Sequence, residues 1–169
     1  MNAPTLAIVI PCYNEQEVLP ETLKRLKLLL DRYISAGLVG ATSQVWLVDD
    51  GSRDTTWAII RQWSETPGSF VRGIKLSRNR GHQLALLAGL MRAEGDVLIS
   101  VDADLQDDLE VMAKMLERFR SGDDIVYGVR AARKTDTAFK RMTAEGYYRL
   151  LDRLGVEIVF NHADYRLMS

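Results

Sequence analysis

The sequence predicts an α/β protein built on a mostly parallel sheet with helices on both faces. Five short apolar runs rich in β-branched residues are typical of buried strands: Leu6–Ile10, Val45–Val48, Val71–Leu76, Val97–Val101 and Ile125–Val129. Segments with helical periodicity alternate with these runs. This alternation favours right-handed βαβ units and therefore a parallel sheet.

The helical segments are recognised by the spacing of their apolar residues. Three stripes recur mostly every three or four residues: Leu19, Leu23, Leu26, Leu30 and Tyr33; Trp57, Ile60 and Trp63; and Leu109, Met112, Met115, Leu116 and Phe119. Residues 82–93 are apolar nearly all round, which predicts a helix covered on several sides. Residues 131–137 are polar and lack periodicity, so we expect a mobile loop there.

Length and composition narrow the functional classes. The chain has 169 residues, a length typical of one domain (1–169) with its own core. Its formal net charge of -1 argues against a nucleic-acid partner, which would favour a strongly basic surface. Cys12 is the only cysteine, so no internal disulfide can form. The densest apolar stretches, Leu6–Ile10 and Leu84–Met91, are far shorter than the roughly 20 residues of a membrane-spanning helix.

Polar residues follow every predicted strand, and ligands of parallel sheets bind outside the carboxyl ends of the strands. Asp102 and Asp104 follow the fourth strand with one small residue between them. Two such carboxylates can turn toward one divalent cation, and hard oxygen ligands suit Mg²⁺ or Mn²⁺. Gln106 offers a further oxygen. The alternative is that the acids only favour the start of the next helix, and we prefer that interpretation for Asp108.

The second and third strand ends carry another group of candidates. Asp49 and Asp50 precede Gly51, and an acid there can accept hydrogen bonds from a base edge or a ribose. The alternative is an acid that only caps the next helix. The Asn-Arg-Gly turn at 79–81 lets the backbone approach a ligand. We expect His82 to pack beside the site or support it instead of acting as a catalyst.

In this order the motifs resemble those of the family 2 glycosyltransferases, which have the GT-A fold. The matching segments cover essentially the whole chain: IVIPCYNEQEVL, VWLVDDGSRDTT, LSRNRGHQLALLAGL, GDVLISVDADLQDDLE, VYGVR and DYRLMS. The D-A-D-L-Q-D and D-Y-R-L-M variants are similar to those of polyprenyl-phosphate glycosyltransferases, including the bactoprenol glucosyltransferases. The resemblance implies a metal-dependent, inverting hexosyltransferase that moves a sugar from a nucleotide diphosphate to a polyprenyl phosphate.

The resemblance also implies roles for individual residues. Those expected at the donor, a UDP- or GDP-sugar, are Pro11, Tyr13, Glu15, Asp50, Gly81, Asp102 and Ala103. The metal, Mg²⁺ or Mn²⁺, is expected on Asp102, Asp104 and Gln106. The acceptor is expected on Arg130, Arg133, Lys134 and Arg166, and the expected catalytic residues are Asp164 and Arg130.

Members of this family usually continue into an amphipathic helix and, in the bacterial glucosyltransferases, two transmembrane helices. The resemblance therefore implies that residues 1–169 are a truncated catalytic core of a protein at the cytoplasmic side of the cell membrane. Whether the protein forms a homo-oligomer stays open.

Two alternative functions also stay open. One is transfer to a saccharide acceptor in cell-envelope polysaccharide synthesis, which would require Asp164 as a base. The other, more remote, is a non-catalytic receiver-like signalling domain, in which the acid pair would follow the first strand.

Overall fold

The computed structural model describes residues 3–104, 106, 108–129 and 162–169, with Val129 and residues 162–164 described by their backbone alone. In this part of the chain, helices and strands alternate up to a last strand that follows another strand. The elements are β1 (Leu6–Cys12), α1 (Leu19–Ser35), β2 (Gln44–Asp49), α2 (Thr56–Ser64), β3 (Val71–Lys75), α3 (His82–Leu90), β4 (Val97–Ser100), α4 (Val111–Arg120), β5 (Ile125–Val129) and β6 (His162–Met168).

The strands form one mixed sheet in the order β3-β2-β1-β4-β6-β5. β1 pairs in parallel with β2 and with β4, and β2 pairs in parallel with β3. β6 is antiparallel to both of its neighbours, β4 and β5. The five predicted strands and the mostly parallel sheet are thus confirmed, whereas β6 was predicted only as a motif and not as a strand.

β1 lies at the centre of the fold because both of its faces are buried. Leu6, Ile8 and Ile10 join the larger core, to which α1, α2 and α4 contribute. Val9 points the other way and joins a smaller core with Ala85 and Leu86 of α3. A strand buried on both faces reads as a continuous apolar run, which explains the sequence of β1.

The predicted helices form, and helices cover both faces of the sheet. The apolar stripe of α1 is buried as predicted: Leu19, Leu23, Leu26, Leu30 and Tyr33. Within the described residues, no helix combines the length and apolar character that crossing a bilayer requires.

The expectation that α3 is covered on several sides is wrong. One side of the helix is buried against the sheet through Ala85, Leu86 and Gly89. A second side is open to solvent: Leu84, Leu87 and Met91 are 55%, 49% and 77% exposed. The apolar residues all round this helix therefore do not show which of its sides the rest of the protein covers.

Candidate functional site

The candidate site lies at the carboxyl edge of the sheet, where β1 stands between β2 and β4. The chain leaves β1 toward β2 and β3 on one side, and β4 and β6 lie on the other side, so the strand order reverses at this point. Ligands of open α/β sheets bind in the crevice at such a reversal. The predicted donor and metal residues all follow or end these strands.

The Asp-Ala-Asp segment after β4 turns its small residue inward. Ala103 is only 4% exposed, and its backbone oxygen accepts a hydrogen bond of 2.8 Å from Thr22 Oγ1 on α1. The Asp102 side chain is 30% exposed, and Asp104 is also exposed. The buried Ala103 thus anchors this segment, while the carboxylates on either side of it stay accessible to solvent and therefore to a ligand.

Glu15 adds a third carboxylate to this edge. Burial raises its pKa above the usual value, and the negative charges of Asp104, Asp54 and Asp102 raise it further. The backbone N–H of Glu15 donates to Thr56 Oγ1 at 2.8 Å, which ties the β1–α1 loop to the start of α2. Negative charges that raise the pKa of a neighbouring carboxyl indicate a place where a cation is favourable.

The start of α3 connects the carboxyl end of β2 with the carboxyl end of β4. Both carboxylate oxygens of Asp50, which is 2% exposed, accept backbone N–H groups: Arg80 N at 2.7 Å and Gly81 N at 2.9 Å. The next residue, His82, brings Nε2 to 3.6 Å from Asp102 Oδ1. Asp50, Gly81 and Asp102 are therefore joined by one short series of contacts that runs through His82.

Gly51 makes this close packing of loops sterically feasible. Its φ is +69°, and a Cβ there would lie 2.6 Å from both Arg78 C and Asn79 N. Only a residue without a side chain fits against the 78–79 backbone at this distance. Gly51 and the Asp50 carboxylate together hold the loop before α3 in place.

A network of side chains that the sequence analysis missed joins the β1–α1 and β2–α2 loops. Asn14 has φ 56° and accepts Arg53 N at 2.9 Å, while its own N–H donates to Ser52 Oγ at 3.0 Å. Gln16 Oε1 accepts from both the N–H and the hydroxyl of Thr55. The signal was present in the sequence, because Asn is enriched among non-glycine residues with positive φ.

Pro11 and Tyr13, both predicted to line the donor, lie in different environments. Pro11 is buried within β1 and pairs with Val48, whereas Tyr13 is 39% exposed just beyond the strand. Tyr13 is therefore the accessible member of the pair at the carboxyl edge.

Gln106 and Asp108 behave differently from the two aspartates that are predicted to hold the metal. The described contact between Gln106 and Asp104 is made by Gln106 N, which donates to Asp104 Oδ1 at 3.0 Å. Gln106 also lines a groove of about 600 Å³ between α1 and the segment before α4. Asp108 Oδ1 accepts Glu110 N at 3.0 Å, so its carboxylate is held in the turn before α4.

The carboxylates fit a divalent cation whose ligand set is completed from outside the protein. Among the described residues, no three His, Cys, Asp or Glu side chains are arranged to hold a metal ion by themselves. Mg²⁺ and Mn²⁺ commonly take one or two carboxylates and fill the remaining positions with substrate phosphate and water. Asp102 and Asp104, close to the Glu15 charge, supply that number and kind of oxygen donor.

β6 carries the predicted Asp-x-Arg motif into the sheet beside β4. Arg166 pairs with Ser100 of β4 and with Tyr127 of β5. Because β6 runs antiparallel to β4, its first residues lie at the carboxyl edge, and continuing the register sets the Asp164 backbone level with Asp102. Arg130, Arg133, Lys134 and the predicted mobile loop 131–137 lie outside the described residues.

The comparisons with known proteins agree with this geometry. The family model described as Glycosyl transferase family 2 matches residues 7–169. An uncharacterized glycosyltransferase of Bacillus subtilis, YkoT, is 50% identical over 168 residues, which cover 98% of this chain and 50% of that protein. A bactoprenol glucosyl transferase of Shigella phage SfV is 34% identical over 165 residues, which cover 97% of this chain and 52% of that protein. The chain spans about half the length of these curated relatives.

Solved structures agree at the level of the fold. The mannosyltransferase PcManGT from Pyrobaculum calidifontis, in complex with GDP-Man and Mn²⁺, has a TM-score of 0.60 at 22% identity and covers 88% of this chain and 39% of its own. Glucosyl-3-phosphoglycerate synthase from Mycobacterium tuberculosis, in complex with Mn²⁺, UDP and phosphoglyceric acid, has a TM-score of 0.64 at 18% identity. The match covers 98% of this chain and 56% of the synthase chain. The predicted GT-A fold is confirmed.

Proposed function

The chain belongs to glycosyl transferase family 2, and from this premise we propose that it moves a sugar from a nucleotide diphosphate to a polyprenyl phosphate. The expectation of a transferase is confirmed at the level of the family. The donor, the acceptor, the metal and the inversion of configuration are parts of the proposal.

One observation carries the donor side of the proposal. Glu15, Asp102 and Asp104 bring three carboxylates to the crevice between β1 and β4, where burial raises the pKa of Glu15 and the charges of the two aspartates raise it further. A bound divalent cation would supply the positive charge that the departing diphosphate needs. Asp102 and Asp104 are the residues that would hold it, and Tyr13 and Asp50 lie at the neighbouring strand ends, where the nucleoside would bind.

The transfer step requires little acid–base chemistry from the protein. An anionic oxygen of the acceptor phosphate attacks the anomeric carbon and forms the new C–O bond. The bond from that carbon to the donor diphosphate breaks, and the nucleoside diphosphate leaves with the electron pair. Attack opposite the leaving group inverts the configuration.

Cationic side chains position such an acceptor better than a general base does. Arg130, Arg133 and Lys134, with Arg166 on β6, are the proposed acceptor contacts. With a phosphate acceptor, Asp164 acts by positioning. With a saccharide hydroxyl, Asp164 would instead have to remove a proton.

The choice of acceptor is supported by the named relatives. Bactoprenol glucosyl transferases of Shigella phages match 97% of this chain at 34% identity. We propose that the longer protein acts at the cytoplasmic side of the cell membrane, through a segment outside this chain.

A competition assay tests the proposal. The protein is offered labelled UDP-glucose or GDP-mannose with Mn²⁺, together with a short-chain polyprenyl phosphate in detergent or an oligosaccharide. We expect labelled lipid product that disappears with EDTA and in Asp104→Asn, while Asp108→Asn, whose carboxylate accepts Glu110 N in the turn before α4, keeps its activity.

Each alternative has its own outcome in this assay. Product on the oligosaccharide alone would replace the lipid acceptor with a saccharide. Full activity in the presence of EDTA would reject the metal. Binding of the nucleotide sugar without product on either acceptor would argue for a non-catalytic domain.

A further inference from the structure

The exposed side of α3 is an apolar stripe formed by Leu84, Leu87 and Met91. Their spacing of three and four residues sets the three side chains along one face of the helix. They are 55%, 49% and 77% exposed, although the opposite side of α3 is buried. Exposed apolar patches with polar margins mark interaction surfaces, because a soluble domain gains nothing from leaving them in water.

Cationic residues flank this stripe along the chain. Residues 66–93 contain Arg72, Lys75, Arg78, Arg80 and Arg92 and no Asp or Glu, in a chain whose net charge is -1. Arg78 and Arg80 lie in the exposed loop before α3, and Arg92 is exposed just after it. The nearest following acids are Glu94 and Asp96, and the Asp96 carboxylate is hydrogen-bonded to Thr5.

Strand geometry adds Arg72 to the same face. Side chains alternate along β3, and Ile74 and Leu76 pack against the small core beneath α3. Arg72 therefore points to the α3 face, where it is exposed. Lys75 points to the other face, with Nζ 5.3 Å from the Trp57 ring centre. Four arginines thus form the basic margin of the stripe: Arg72, Arg78, Arg80 and Arg92.

We propose that the apolar stripe and its basic margin dock this domain on the surface of an anionic lipid bilayer. Apolar side chains of a helix that lies in the membrane interface enter the boundary between headgroups and acyl chains, while flanking cations meet anionic headgroups. The charge of the margin selects this occupant, since a purely apolar partner surface would leave four arginines without counter-charges.

The position of α3 relates the docking surface to the candidate site. α3 begins at the carboxyl edge, and His82 at its first turn reaches Asp102. Leu84 is two residues further along. A bilayer in contact with the stripe is therefore within about one helical turn of the crevice, which suits an acceptor carried in that bilayer. The docking goes beyond the proposed function and does not require it.

Vesicle flotation tests the proposal directly. The chain is mixed with vesicles of phosphatidylcholine alone or of equal parts phosphatidylcholine and phosphatidylglycerol, and the bound fraction is measured. We expect binding to the mixed vesicles that weakens with salt, and much weaker binding to phosphatidylcholine.

Two double variants separate the stripe from the margin. Leu84→Gln/Leu87→Gln should lower the partition coefficient about tenfold or more, because partial burial of two leucines is lost. Arg72→Gln/Arg92→Gln should lower it by a similar factor. The matched controls, on the opposite helical layer, are Leu28→Gln, at a leucine that is 70% exposed, and Arg61→Gln/Arg118→Gln; both should bind as the parent does.

Three results would overturn the proposal. The parent could fail to bind either vesicle, or the stripe variant could bind as well as the Leu28→Gln control. Light scattering could also show a parent dimer that the stripe variant converts to a monomer, which would assign the stripe to a second copy. Transfer to a lipid acceptor in detergent needs no docking, so its result separates failure here from failure of the proposed function. Unchanged UDP or GDP binding confirms that the variants are folded.

Discussion

Replacing Gly51 with alanine should displace the loop that leads into α3. The new Cβ would lie 2.6 Å from Arg78 C and Asn79 N, and 2.8 Å from Arg78 Cα. Carbon atoms in contact prefer separations of about 3.5–4.0 Å. The atoms met are backbone, so the collision cannot be relieved by rotating a side chain. The loop must move, and the hydrogen bonds from Arg80 N and Gly81 N to Asp50 lengthen with it.

Gly68 provides a matched control for the size of this effect. Its φ of +74° is close to the +69° of Gly51, but a Cβ there meets nothing within 4 Å. Gly68→Ala should therefore lower the free energy of unfolding by about 1 kcal/mol, the cost of the left-handed conformation. Gly51→Ala adds overpacking, so we expect a total of roughly 2–4 kcal/mol.

Thermal unfolding and nucleotide titration measure the two consequences. Gly51→Ala should melt roughly 3–9 °C below Gly68→Ala in a domain of this size. It should also bind UDP or GDP more weakly than Gly68→Ala, measured by calorimetry below both melting temperatures, since the displaced loop carries Gly81. Equal melting temperatures and equal affinities in the two variants would refute the idea that Gly51 is required for this loop packing.

Three further predictions address the carboxylates and the cysteine. Asp104→Asn should abolish the Mn²⁺-dependent part of UDP or GDP binding while Asp108→Asn keeps it; equal calorimetric affinities with Mn²⁺ would contradict the metal assignment. Asp50→Asn loses one of two buried acceptors, so the free energy of unfolding in urea should fall by about 2 kcal/mol. An unchanged urea midpoint would contradict a stabilising role for the Asp50 hydrogen bonds. Burial, with the charges of Glu15 and Asp49, raises the pKa of Cys12. At pH 8 the thiol of the native protein should therefore not react with Ellman's reagent and should react only on unfolding. Fast labelling of the native protein would argue against burial.

The sequence predicted the elements that depend on local pattern. The β-branched run of β1 and the leucine stripe of α1 each satisfy a period that the residues themselves display, and both are buried as expected. The strand-end position of Asp102 and Asp104 followed from the same reasoning, because carboxyl ends of parallel strands share one edge.

What depends on distant parts of the chain was not predictable in this way. β6 does alternate, with Tyr165 and Leu167 buried, but its polar residues concealed a short strand, and no local pattern specifies that it lies between β4 and β5. The exposure of Leu84 is similar, because periodicity shows that a helix is apolar but not which neighbour covers it. The Asp50 bonds to Arg80 N and Gly81 N span 30 and 31 residues and required the three-dimensional structure.

The place of β6 between β4 and β5 has a consequence for the order of folding. During synthesis β1 to β4 can pair as they emerge, because each partner is already present when the next strand appears. β5 cannot join in this way, since its neighbour in the sheet is made about 30 residues later. Until that strand arrives, the edge of β4 is unpaired and able to recruit another chain. A released chain that stops short of residue 162 should therefore aggregate more than one that includes residue 168.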